Sequence, residues 1–198
     1  MHELFVTRVY QAKLKTNLKD LKKEIFQIQK ADINGQEWSE KNYAGGYTSY
    51  GSWDQLHRLS SGFQALETKI NPHVFTYAKS LNYQLKKSSL NLNSIWVNIM
   101  PNGTLHTAHI HPQSVISGTF YVDVPPGASS IKFEDPRLGL FMNSPRVRSS
   151  AKKTNLRFYS LAPKAGELVL FESWLKHEVP LNQSKKPRIS VSFNYGWA

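Results

Sequence analysis

The chain has 198 residues and a formal charge of +11, from 25 Lys and Arg against 14 Asp and Glu. It contains no cysteine, which excludes disulfides, thiolate metal sites and thiol catalysis. No apolar run approaches a membrane span and the first residues lack the basic-then-apolar layout of a signal peptide, so a cytoplasmic protein without a membrane partner is expected.

In chain order, LFVTRVYQAKL alternates with period two and predicts a strand from Leu4 to Leu14. NLKDLKKEIFQIQKAD predicts a helix: Leu18, Leu21, Ile25 and Ile28 recur at helical spacing, with Asn17 as N-cap. The Gly-, Tyr- and Ser-rich stretch 35–53 predicts a loop with short extended pieces. A second helical region is expected from about Asp54 to Lys87, broken or kinked at Pro72. After about Asn91 the style changes. SIWVNIM, SVISGTFYVDV, SSIKFED, NLRFYSLAP, GELVLFES and PRISVSFNY are short, β-branched and aromatic, with Gly, Pro or Asn between them. They predict an antiparallel barrel or double-sheet jelly roll. The expectation is an α+β, mainly β, single domain over 1–198, with a helical and extended part (1–91) and a β-barrel core (92–198).

HTAHIHP gathers three of the seven histidines, His106, His109 and His111. Side chains two apart on a strand share a face, so His109 and His111 form the usable pair. His106 follows the turn signal PNGT and falls in a supporting place or none. A catalytic metal takes about three protein ligands. The best third is His177, after the apolar strand GELVLFES, brought opposite the pair by a facing strand of the barrel. The plain alternative is a set of surface or core histidines.

In PRISVSFNYGWA, Arg188, Ser190, Ser192 and Asn194 alternate with Ile189, Val191 and Phe193. An ordinary strand puts the polar set in water; a small barrel turns it into an interior pocket with the apolar set under outer helices. Arg188 then offers a fork matched to a carboxylate, which suits a dicarboxylic acid, and Ser190 a hydroxyl donor.

His-x-His, a distal histidine and Arg-x-Ser eleven residues after it together resemble the Fe(II)/2-oxoglutarate-dependent dioxygenases. The phrases SVISGTFYVDVPPGASSIKFEDPR, LFESWLKHEVP and RISVSFN resemble the 2-oxoglutarate–Fe(II) oxygenase family of uncharacterised bacterial and phage proteins, over about Trp96 to Asn194. The resemblance implies a double-stranded β-helix with N-terminal helices on its outer face. It also implies Fe(II), 2-oxoglutarate and O2, and the hydroxylation of an unidentified substrate with release of succinate and carbon dioxide. His109 and His177 take the two histidine positions of the metal triad, and Arg188, supported by Ser190, pairs with the distal carboxylate. Asn98, eleven residues before His109, and Tyr121, on the strand after the pair, are expected to add hydrogen bonds to the cosubstrate. Tyr47, Ser49, Trp53 and Arg146 are candidate substrate contacts on the loops YAGGYTSYGSW and RLGLFMNSPRVRSS.

One departure stands out. The superfamily has an acid two residues after its first histidine, and here that position is His111. His111 is the preferred third ligand, with Glu134, Asp135 or Glu172 as acidic substitutes. Two alternatives stay open. GTLHTAHIH matches the opening of a cupin motif, although Val115 and Ile116 stand where its Glu belongs. A jelly-roll binding module with no catalysis is the other. The lysines are dispersed, so solvated surface is favoured over a nucleic-acid patch, and an exposed barrel edge leaves oligomer formation open.

Overall fold

The computed structural model describes residues 1–86 and 89–197. Among them, ten strands form two sheets. The larger has the order β1 (Val9–Lys13), β8 (Glu167–Glu172), β5 (Ile116–Asp123), β10 (Arg188–Trp197), β3 (Leu90–Met100), β2 (Tyr47–Thr48). The smaller has the order β4 (His106–His109), β9 (His177–Val179), β6 (Ile131–Glu134), β7 (Phe158–Leu161). Strand pairs are antiparallel throughout, and the two sheets make the jelly roll that the sequence predicts.

Four helices precede the barrel: α1 (Leu18–Ala31), α2 (Ile33–Asn42), α3 (Leu56–Leu59) and α4 (Ser61–Ser80). On α4, Phe63, Leu66, Ile70, Val74 and Tyr77 form one apolar stripe. They share a core with Leu21 and Ile25 of α1 and with the outward residues of the large sheet, including Ile95, Val97, Phe120, Leu170, Val191 and Phe193. Each such side chain contributes about 1.5–3 kcal/mol through removal from water. The helices therefore cover the outer face and leave the inner face for the cavity. Among the described residues, no helix is long and apolar enough to cross a membrane.

Four local expectations are corrected. The first strand begins at Val9, because Phe5 adopts a left-handed backbone (φ 59°) that interrupts the extended run. The stretch 35–53 is not all loop: α2 occupies its start, nucleated by Asp32, whose carboxylate accepts from the Gly35 N–H at 2.9 Å. Pro72 does not break α4. It is exposed, as is Thr68, whose carbonyl loses its helical donor and is left to water. The buried stripe then outweighs the missing bond. Finally, α4 ends at Ser80, and the expected end at Lys87 lies outside the described residues.

Candidate active site

Strand parity builds the site. On β10 the odd residues Ile189, Val191 and Phe193 enter the outer core, while Arg188, Ser190, Ser192 and Asn194 line an interior cavity of about 280 Å³. Register then aligns neighbours in rows. Ser190 pairs with Asn98 on one side and Tyr121 on the other, and Asn98 pairs with Thr48. The predicted residues Asn98, Ser190 and Tyr121 thus form a single row across three strands, next to Arg188.

His109 and His177 are cross-strand partners on β4 and β9. This corrects the expectation of facing strands: the third imidazole comes from the adjacent strand of the same sheet, in direct register. His111 lies just beyond β4, fixed by its backbone N–H to the Ser173 carbonyl at 2.9 Å. Its ring stacks on His109 with centroids 5.2 Å apart and lies 5.0 Å from His177. One ring nitrogen from each of the three lies within 4.8 Å of those of the other two.

Each ring is oriented through Nδ1. His109 Nδ1–H donates to the Thr107 carbonyl at 2.6 Å, His177 Nδ1–H to the Leu175 carbonyl at 2.9 Å, and His111 Nδ1–H to Asn194 Oδ1 at 2.5 Å. Ser117 Oγ lies 2.9 Å from His111 Nδ1, and it bonds Asn194 Oδ1 and Ser173 Oγ at 2.7 Å each. With every Nδ1 engaged, the three Nε2 lone pairs are the free ones, which is how imidazoles are oriented around a metal. Burial, helped by His109, pulls His177 down to about 3, so its ring is neutral and able to ligate. Burial likewise lowers His111.

The acidic substitutes are engaged elsewhere. Glu134 pairs with Lys176 at 3.2 Å and Asp135 with Arg137 at 2.9 Å. Glu172 accepts from the Tyr83 hydroxyl and, at 3.1 Å, from Trp174 Nε1.

Arg188 is 2% exposed and, among the described residues, has no carboxylate within ion-pair distance. Its Nη1 reaches only Met100 Sδ at 3.0 Å and Ser190 Oγ at 3.4 Å, its Nε is unpartnered, and its guanidinium lies 4.9 Å from the centre of the Tyr121 ring. Asn98 donates to Ser192 Oγ at 3.0 Å while its own Oδ1 is unpartnered, and the Tyr121 hydroxyl makes no well-formed hydrogen bond. A buried guanidinium without a counter-charge is costly, and the unused polar atoms beside it leave room for an anionic guest.

Sequence reasoning missed part of the wall. His106 also lines the cavity, because a register irregularity between His106 and His109 cancels the parity argument. Its Nε2 lies 2.8 Å from the Tyr43 hydroxyl and its ring stacks on that of Tyr43; burial, with Arg188 nearby, pulls it down to about 3. Trp38, Tyr43, Thr48, Tyr50 and Trp96 complete this side of the cavity. Tyr47 and Ser49, expected at the mouth, point the other way. Tyr47 donates to Asp32 at 2.8 Å, and Ser49 donates to the Trp53 carbonyl and accepts from the Val97 N–H. Alternation along Tyr47–Tyr50 was the signal available, and Trp53 and Arg146 do not line the cavity either.

The profile of the family described as "Putative 2OG-Fe(II) oxygenase" matches residues 94–194, just over half of the chain. The chain belongs to the 2-oxoglutarate/Fe(II) oxygenases. It is an oxidoreductase that depends on Fe(II) and 2-oxoglutarate and uses O2 as cosubstrate. A prolyl-4-hydroxylase from Pseudomonas putida superposes on this oxygenase with a TM-score of 0.66 at 14% identity, over 98% of this chain and 95% of its own. The epimerase SnoN of nogalamycin biosynthesis gives 0.64 at 14% identity, over 97% and 79%. HygX from Streptomyces hygroscopicus, solved with nickel and 2-oxoglutarate bound, gives 0.61 at 11% identity, over 97% and 84%. At these identities the likeness is one of fold. No curated protein matches the chain by sequence.

Proposed function

We propose that the Nε2 atoms of His109, His111 and His177 hold the Fe(II), and that Arg188 receives the distal carboxylate of 2-oxoglutarate. On this reading the oxygenase hydroxylates a C–H bond of an organic substrate. The observation that carries it is the buried, uncompensated Arg188 guanidinium opening into the cavity that the three imidazoles share. Those imidazoles fit the metal: imidazole suits iron, three Nε2 lone pairs are free, and three protein ligands leave positions open. Neutral imidazole ligands add no charge, so the dianionic cosubstrate offsets two of the three positive charges of the metal and Arg188. When bound, the iron and its cosubstrate supply O2 activation coupled to the conversion of 2-oxoglutarate into succinate and carbon dioxide.

The protein's own part is placement. The Arg188 fork fixes the far carboxylate, and Ser190 adds a hydroxyl beside it. Asn98 and Tyr121, in the same row as Ser190, direct polar groups at the cosubstrate. Asn194 and Ser117 hold the imidazole of His111. Phe171 packs against His177 with ring centroids 4.5 Å apart and excludes water from that flank. The whole chain acts as one domain, the helices bracing the sheet that carries the cavity, and it works in the cytoplasm.

Succinate formation from 2-oxoglutarate with Fe(II) and O2, without added substrate, tests the reading. Turnover is expected in the native protein. It is expected to vanish in His177→Ala together with metal binding, and in Arg188→Ala with metal binding retained. Unchanged turnover in Arg188→Ala sinks the assignment and favours a cupin-like site, which has no use for the arginine.

A further inference from the structure

The sequence disperses its lysines, but the fold does not disperse its charge. Between Asp135 and Glu167 there are seven cations and no acid. This segment carries +7 of the +11 (11 − 7 = 4 for everything else). Six of the seven, Arg137, Arg146, Arg148, Lys152, Lys153 and Arg157, lie in the connection between β6 and β7, whose only regular structure is two short 3-10 turns. Connections of this length with so little regular structure are uncommon inside a compact domain and are usually either functional or linkers.

Register fixes where this arm stands. Phe133 of β6 pairs with His177, the Glu134 N–H donates to the Lys176 carbonyl, and the Asp135 N–H donates to the Arg157 carbonyl. The arm therefore leaves the sheet at the level of the metal-binding imidazoles, one and two strands to the side, at the open end of the barrel. Its base is braced by Phe141, whose ring centre lies 4.0 Å from the guanidinium of Arg157 and 5.6 Å from that of Arg137. Arg146, Arg148, Lys152 and Lys153 are exposed, and none has an ion-pair partner among the described residues. The same end presents aromatic faces. Tyr50 is 53% exposed, leans on Trp96 and lines the cavity. Trp174 is 46% exposed three residues before His177, with its N–H tied to Glu172.

We propose that this arm binds the phosphate backbone of a single-stranded nucleic acid and that the oxygenase's substrate is a nucleotide of that strand. Cations spread along the arm match an evenly charged polymer, arginine forks match phosphate, and the exposed aromatic faces of Tyr50 at the cavity and Trp174 near His177 can stack bases without regard to sequence. The binding rests on surface charge and aromatic exposure; only the fate of the bound nucleotide rests on the site reading above.

The test is fluorescence anisotropy of metal-free protein with a fluorescein-labelled single-stranded oligodeoxynucleotide across a salt series. Neutralising single-strand phosphates gives a log–log salt slope of about −0.7 per contact. The quadruple variant Arg146→Ala, Arg148→Ala, Lys152→Ala, Lys153→Ala is expected to bind at least about tenfold more weakly, with the slope shallower by about 3. Trp174→Ala is expected to weaken binding with the slope unchanged. Equal affinity and slope for the native and quadruple proteins overturns the proposal. So does tighter binding of the matching duplex, and so does competition by polyglutamate as effective as that by unlabelled oligonucleotide, which assigns the arm to an acidic polypeptide. Uncoupled succinate formation, measured on the same proteins, is expected to be equal in the native and quadruple forms. Its absence from both, with oligonucleotide binding intact, faults the cavity reading and not the arm.

Discussion

The two faces of the large sheet are written in alternate residues of the same strands, yet they hold opposite chemistry. Outward, β3, β5, β8 and β10 present Val97, Phe120, Leu170 and Phe193 to the helices. Inward, β3 and β10 present Asn98, Ser190 and Arg188 to a cavity, with the Tyr121 ring of β5 packed against the Arg188 guanidinium, which has no counter-charge among the described residues. The outer face is satisfied as it stands; the inner face is complete only with a guest. Stability and function therefore separate by parity, and substitutions one residue apart should act on different observables.

The largest expected effect is on the outer face. Phe193 is fully buried, and its ring fills the space over Gly118, where an added Cβ would meet ring atoms at 2.5 and 2.6 Å. Phe193→Ala opens a cavity there and is expected to cost about 3–5 kcal/mol of stability, read by denaturant unfolding. Metal and 2-oxoglutarate affinities of the folded fraction should stay within error. If they fall in step with stability, the faces are not independent.

On the inner face, Arg188→Met is the sharpest break. Loss of a buried charge partner costs a bound anion about 2–5 kcal/mol, so 2-oxoglutarate affinity, read by calorimetry on the Mn(II)-loaded protein, should drop by at least about thirtyfold. The metal-free protein should be as stable as the native one or more so, since an uncompensated cation has been replaced by an apolar chain of similar length. A less stable variant would show that Arg188 has a structural partner after all.

Parity also marks how far the site was legible. Tyr121 pairs with Ser190 but does not line the cavity. Arg188, Ser190 and Asn98 could be placed because alternation holds along β10 and β3 from Arg188 to Asn194, and the pair His109 and His111 because they stand two positions apart. His106 could not, since the irregularity in β4 leaves no trace in HTAHIH. Nor could Tyr43 and Trp38: they come from α2 and the residue that ends it, a helix with few apolar residues and a buried glycine, which reads as loop until Asp32 is seen to cap it. The charge of the β6–β7 arm was visible as composition, but its position at the open end follows only from the pairing of Phe133 with His177.

A milder inner-face change tests whether His111 is held as the third ligand. Asn194→Ala removes the acceptor of its Nδ1–H and leaves Ser117 alone to orient the ring. Partners of ligating histidines are worth about 10–100-fold in metal affinity, and a loss in that range is expected by Mn(II) titration. An unchanged affinity would mean that the metal does not use His111, which reopens the question of an acidic ligand.

The smallest effect lies farthest from the cavity. Pro72 sits mid-helix on the exposed side of α4, so the Thr68 carbonyl lacks its donor, while Thr68 and Thr76 hydroxyls donate back to the Gln64 and Pro72 carbonyls. Pro72→Ala restores the missing N–H but frees the unfolded chain, and the two together leave a net gain of about 1–2 kcal/mol. Thermal unfolding of the metal-free protein should show a higher midpoint, with 2-oxoglutarate affinity and uncoupled succinate formation unchanged. Because Ile70 and Val74 on the same helix bear on the outer face of the sheet, any change in those two constants would reveal that strain in α4 reaches through the sheet to Arg188, and the separation by parity would then hold for side chains but not for the backbone that carries them.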